Sequence, residues 1–396
     1  MTSPSNPPDQ ERLDRLLSFL EQDPSNTSLL VDILLLATSG ALQVTVLAQK
    51  LREHVTAHEI NDPIVHAHLS HLQLLAHDYA AAAEHGDRAI DGGIDHPAVL
   101  FNTAFGHFYS ADYASSAKAL QPVTSQPNPP VSALILHARA LHHLESDDAE
   151  TLVKQALEVE PNNTEALGLL ALLLNERDAY DESLQLAHEV LSRDPNQLDA
   201  LLACASTHTE QGRIEAARST WQHTVKAHPD CGRAWSGLAQ VEFHELEFDQ
   251  AEEHLKTAVT YMPDHIGTWH LLAWIYIMRG DSAQAREALD KSYALDRNFG
   301  ETHGGLAVVD ALDGKHDNAR LGIRRALKLN PHSMSARYAE IVLLQQAGKH
   351  DEANAVVQQT LDKPVANENT TGRMLVEHWL AQHQGRSTQK PPSHQH

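Results

Sequence analysis

Apolar residues recur at helical spacing along most of this chain. Leu13, Leu16, Leu17 and Leu20 hold an i, i+3, i+4, i+7 stripe, which predicts an amphipathic helix over 9–22 that stops at Asp23-Pro24-Ser25-Asn26. Residues 27–60 predict a divergent helical pair turning at Ser39-Gly40, so 9–62 forms an N-terminal helical segment. From Pro63 the pattern repeats with a period of 34, placing units at 63–96, 97–130, 131–163, 164–197, 198–231, 232–265, 266–299, 300–333 and 334–367. The unit at 131 is one residue short between its helices. Gly212, Gly280, Gly314 and Gly348 stand multiples of 34 apart and mark the turn within a unit, where glycine can take positive φ after a helix. Ala149, Ala217, Ala251, Ala285, Ala319 and Ala353 share one phase on the second helix, small enough to let neighbouring helices approach closely. Prolines at 127, 161, 195, 229, 263 and 331 close the units; Arg297 and Ser183 break the proline and alanine series. Met374, Leu375, Trp379 and Leu380 predict a capping helix over 368–384, while 1–8 and 385–396 carry nothing to bury and are expected to be disordered tails.

Two neighbouring stretches carry the most complete version of the repeat. Arg233 to Pro263 places Trp235, Leu238, Ala239, Ala251, Leu255, Ala258 and Pro263 at fixed offsets. His265 to Arg297 answers with Trp269, Leu272, Ala273, Tyr276, Ala285 and Leu289. That order on that period resembles the tetratricopeptide repeat, a helix-turn-helix unit that stacks on its neighbours. The resemblance covers 63–367 and implies an all-α, right-handed α-solenoid of about ten stacked repeats.

Composition narrows the function. With 30 Lys and Arg against 53 Asp and Glu, the net charge of -23 repels phosphate backbones and anionic lipid, which argues against nucleic acid as a partner. Leu29 to Ala37 is apolar, but it contains Asp32 and is far too short to span a bilayer, so no membrane insertion is expected. MTSPSNPPDQERLDR has no basic stretch followed by an apolar run, so no secretory signal is expected, and Cys204 and Cys231 sit in no Cys-x-x-Cys pattern; both read as reduced thiols of a cytoplasmic protein. Protonating all 28 histidines would move the charge from -23 to +5, a pH-responsive field if the count is functional and a compositional habit if it is not. His54 and His58 share a helix face, but no third ligand accompanies them, so no metal is assigned and no cofactor is expected. Phosphate-binding glycine loops, His-Glu-x-x-His and Gly-x-Ser-x-Gly are all absent, and the chain is read as no enzyme.

The resemblance also implies that first helices line a concave groove through positions 2, 5, 9, 12 and 13 of each repeat. In the repeat at 97 these include Phe101, Phe105, Phe108 and Tyr109, with Leu100, Ala104 and His107 on the packing side. Either this face grips apolar or aromatic side chains of a peptide, or the N-terminal helices cover it as core. Arg139, His142 and His143 join the same groove, and Phe243, His244, His270, Trp274 and Ile277 form a second candidate patch. The family's Lys and Asn clamp for C-terminal carboxylates is missing, because no lysine accompanies Asn175. Arg320, Arg324, Arg325 and Lys328 form a basic stripe that either receives an acidic partner segment or phosphate or, as expected first, pairs with carboxylates of adjacent helices such as Asp351 and Glu352. The reading is a non-catalytic scaffold or adaptor for a protein or peptide with apolar, aromatic or basic anchors. A chaperone or assembly factor for a secretion, pilus or envelope system, and a recruiting subunit of an enzyme complex, stand as alternatives.

Overall fold

The computed structural model describes residues 7–39, 44–362 and 373–374. The expected capping helix and C-terminal tail lie outside them apart from Arg373 and Met374, as do residues 1–6 and Gly40. The chain divides into two compact units, residues 1–207 and 208–396.

The first unit opens with α1 (Pro7–Gln22), α2 (Thr27–Thr38) and α3 (Val44–Ala57). Four pairs follow: α4 (Pro63–Leu75) with α5 (Tyr79–Asp91), α6 (Pro97–Tyr109) with α7 (Tyr113–Thr124), α8 (Val131–His143) with α9 (Asp148–Val159), and α10 (Thr164–Glu176) with α11 (Tyr180–Arg193). The unit ends within α12 (Leu198–Glu210). The second unit continues through α13 (Ile214–Ala227), α14 (Gly232–His244) with α15 (Phe248–Tyr261), and α16 (Ile266–Arg279) with α17 (Ser282–Leu295). It closes with α18 (Gly300–Leu312) and α19 (His316–Leu329), then α20 (Met334–Gln346) and α21 (His350–Leu361). No strand occurs among the described residues, and each unit is an α-solenoid in which a pair packs on the next.

Local chemistry explains the period. Asp62, Asp78, Asp112, Asn163, Asp281 and Ser333 each accept a backbone N–H from the first turn of the helix they precede, satisfying donors the helix cannot pair itself. At the turn inside each pair the chain passes through positive φ. Gly212, Gly280, Gly314 and Gly348 do so at 66–75°. His77, Ala111, Glu145, Asp178 and Leu246 take the same conformation without being glycine, at 54–63°. The six alanines predicted for close packing are all buried. Ser183, which interrupts their series, is buried as well and donates its hydroxyl to the Ala171 carbonyl at 2.7 Å, so the polar atom is satisfied inside the pair.

The short repeat is short at the entry to its second helix. Ser183 stands five positions after Asp178, whereas Ala149 stands four after Glu145. Asp147 accordingly caps α9 from an αR backbone with no side-chain bond, unlike the aspartates above.

Candidate functional site

An aromatic face forms in the first unit because α6 lies close on α5. Gly106 permits this: a Cβ there would stand 2.8 Å from the Ala83 nitrogen and 2.9 Å from the Tyr79 carbonyl oxygen. The approach brings Tyr79, the first residue of α5, against α6, where its ring stacks on Tyr109 at 4.9 Å. Phe105 lies 4.5 Å from Tyr109 and 6.2 Å from Phe101, and Phe108 packs edge-on to Tyr109 at 5.4 Å. Tyr113, the first residue of α7, continues the row: it meets Phe108 at 5.4 Å and stacks flat on His143 of α8 at 4.0 Å. Phe101, Phe105 and Phe108 are half-buried and Tyr109 is 54% exposed, so the N-terminal helices do not cover this face.

Beside the rings runs an ionic line across three first helices. Arg139 on α8 donates two hydrogen bonds to Asp199 of α12, at 2.7 and 3.1 Å, and one to Glu165 of α10 at 3.2 Å. Burial opposes its charge, but Asp199 and Glu165 outweigh that and raise its pKa above the ordinary guanidinium value. The cation predicted to meet a partner is therefore held bidentate inside the chain, and what the face offers outward is the exposed carboxylate of Glu165. His142 pairs with Glu176 at 2.6 Å. Asn175 is buried and donates to Thr207 at 3.0 Å, a bond that fastens α10 to α12.

The second candidate patch does not assemble as one surface. His270 is buried between α16 and α18, with Nε2 2.9 Å from Thr302 Oγ1, and burial lowers its pKa to about 4 although Glu301 pulls the other way. Ile277 is buried too. Trp274 finds its ring neighbour in Tyr338 of α20 at 5.5 Å, while Phe243 packs on Phe248 at 5.5 Å; His244 lies at the end of α14, partly exposed. Tyr79, Tyr113 and Tyr338 escaped the sequence reading. The first two carry a signal, since Tyr79, Tyr113, Tyr180 and Phe248 all stand two residues after the positive-φ turn.

The basic stripe corrects an expectation. Arg320 pairs with Asp317 on its own helix at 3.0 Å and Glu352 is taken by Lys349 at 2.9 Å, so among the described residues no ion pair joins the stripe to α21. Partners three residues away reach each other with less ordering of side chains than partners on separate helices. His54 uses Nε2 on the Pro24 carbonyl at 2.8 Å, which removes one nitrogen from the His54, His58 pair. Neither cysteine is in a disulfide.

Comparison with known proteins agrees with the repeat. Three tetratricopeptide repeat family models match residues 139–197, 174–241 and 230–298. Among curated relatives, the BBSome complex member BBS4 of Bos taurus is 24% identical over 54% of this chain and 41% of its own length. The human mitochondrial import receptor subunit TOM70 is 20% identical over 45% of this chain and 31% of its own. The chain thus spans less than half the length of the curated relatives it matches. Among solved structures, pilF of Pseudomonas aeruginosa is 18% identical with a TM-score of 0.46, covering 55% of this chain and 97% of that one. A tetratricopeptide repeat protein of Parabacteroides merdae gives 16% and 0.41, covering 62% and 97%.

Proposed function

Proceeding from a chain that belongs to the tetratricopeptide-repeat superfamily, whose repeats mediate protein–protein interactions, we propose that it is a non-catalytic cytoplasmic scaffold that holds a partner segment on the aromatic face of its first unit. One observation carries this reading: Phe101, Phe105, Phe108, Tyr109, Tyr79 and Tyr113 form a continuous row of partly exposed rings in a chain with only 5% aromatic residues. Rings already stacked on one another lose little freedom when a partner side chain settles on them, so the face is organised in advance. Glu165 and Glu176 border the rings and favour a basic residue next to the partner's apolar anchor, and -23 of net charge draws such a segment in. Within the described residues no helix is long and apolar enough to cross a membrane.

The test begins with affinity purification from native lysate using wild type beside Phe105→Ser, Phe108→Ser, followed by direct binding of the recovered partner to purified protein. A central aromatic anchor is worth about 2 kcal/mol or more, so the double variant is expected to bind about 30-fold more weakly. Tyr109→Ala, at an exposed ring, guards against a folding artefact and is expected to weaken binding as well. Unchanged affinity in both variants moves recognition off this face.

A further inference from the structure

Three irregularities of the repeat converge on one place in the first unit. α7 and α8 are separated by residues 125–130, six where α11 and α12 are separated by the four residues 194–197. Pro127, Pro129 and Pro130 stiffen that longer connection, and Pro122 inside the last turn of α7 has no N–H to give the Lys118 carbonyl. One repeat later the entry to α9 is short by one residue. Between α7 and α9, above α8, lies a cleft of about 850 Å³, within the range that holds ligands rather than single waters.

Its floor is apolar and its rim is not. Ala117 and Leu134 are buried and Leu152 is half-buried beneath it, whereas Gln121, Thr151 and Gln155 are exposed along the two flanking helices. His137 is the one floor residue with chemistry. It is 8% exposed, and its Nδ1 lies 2.9 Å from Thr124 Oγ1. Thr124 Oγ1 also lies 3.1 Å from the Leu120 carbonyl and 3.4 Å from that of Gln121; with its single proton given back to its own helix, as threonine commonly does, it accepts from His137 Nδ1–H and leaves Nε2 as an acceptor. Burial lowers the His137 pKa, which keeps the ring neutral and that lone pair present. Among the described residues Nε2 has no hydrogen-bond partner.

We propose that the cleft between α7 and α9 is a second binding site, taking an extended peptide segment without acidic residues that seats one aliphatic side chain on the floor and donates a hydrogen bond to His137 Nε2. The lining selects that class. Side-chain amides and hydroxyls on both walls meet the donors and acceptors of an extended backbone, and the floor offers a leucine-sized apolar seat. Lys118, Asp148 and Glu158 all line the cleft, two acids to one base, so the rim offers an anion no net attraction. No Phe, Tyr or Trp lines the cleft to stack on a sugar or base. The site is formed by α7, α9, the 125–130 connection and the face of α8 that carries Leu134, His137 and Leu141, and it shares no lining residue with the aromatic row.

A displayed library of random hexapeptides, selected on the full chain and counter-selected on a Gln155→Trp chain, tests this. Gln155 is exposed, so the indole fills the cleft without disturbing the core, which circular dichroism checks. Peptides surviving counter-selection are expected to share an aliphatic residue at a fixed position and to lack Asp and Glu. Their Kd is expected to rise at least tenfold in Gln155→Trp and His137→Phe and to stay within twofold in Tyr109→Ala. The proposal is overturned if nothing survives counter-selection, if the survivors are acidic, or if Tyr109→Ala rather than Gln155→Trp removes binding; that last result would leave the aromatic face as the peptide site.

Discussion

Two buried imidazoles hold the α4–α5 pair together in a way that depends on neither being charged. His66 Nδ1 and His85 Nδ1 lie 3.0 Å apart with rings stacked at 5.1 Å, and both Nε2 atoms are buried without a partner. A proton added here brings a charge that no solvent reaches. Burial is the first cause of the lowered pKa of both rings, taking His85 to about 4; Arg88 pushes both down, Arg52 and His66 push His85 further, and Asp62, Glu84 and Asp78 oppose. The unfolded chain, near 6.5, binds protons first on acidification. The stabilising contribution is therefore complete above about pH 6.5 and is lost as pH falls toward 4. For His85 alone, going from pH 7 to pH 5 costs about 2 kcal/mol. Urea melts at the two pH values should show a clearly smaller loss in a His66→Leu, His85→Leu chain than in wild type, and equal losses in both would mean these rings do not report on acid. Because α5 also carries Tyr79, the same acidification loosens the base of the aromatic face.

At the scale of the helix pair, the turn and the second-helix seam are the parts most open to test. Leu246 holds φ 63° where the neighbouring repeats place Gly212 and Gly280, and its side chain is 49% exposed. Since an L side chain in that region costs about 1–2 kcal/mol, Leu246→Gly should raise stability by about 1 kcal/mol and Gly280→Ala should lower it by a similar amount. A melting temperature that falls in the first variant would show that the leucine's packing outweighs its strain. Ala251, fully buried against the adjacent pair, gives the complementary test: Ala251→Glu forces an unpaired carboxylate into the seam and should cost about 4 kcal/mol or more, read as lost helical signal on mild heating. These positions were legible because caps, turns and small residues act locally and recur in phase. The site was legible only in part. Phe101, Phe105 and Tyr109 stand at positions that the repeat resemblance implies for the groove, but Arg139 is held by Asp199 sixty positions on, and His270 is buried by a bond to Thr302 thirty-two positions away. Such contacts are set by how one pair seats on the next, which spacing within a pair does not contain.

For the chain as a whole, the histidine count means less than its total suggests. Among the described residues six histidines, at 66, 68, 85, 137, 265 and 270, are held below their ordinary pKa, with burial the largest cause in each. With these six neutral, a proton on every other histidine would bring -23 only to -1, short of the +5 that the full count suggests. The same six rings protonate once unfolding exposes them to water. Native protein should accordingly focus at a lower pH than the value of about 5.6 that the sequence gives, and the chain in urea should move up toward it. Isoelectric focusing of one preparation with and without urea measures the difference directly. Coincident bands would show that these histidines titrate as freely in the fold as out of it, and the acid sensitivity argued for the α4–α5 pair would lose its basis. A separated pair of bands would place the zero of net charge, and with it the loss of long-range attraction for a basic partner, a few tenths of a pH unit below where composition alone puts it.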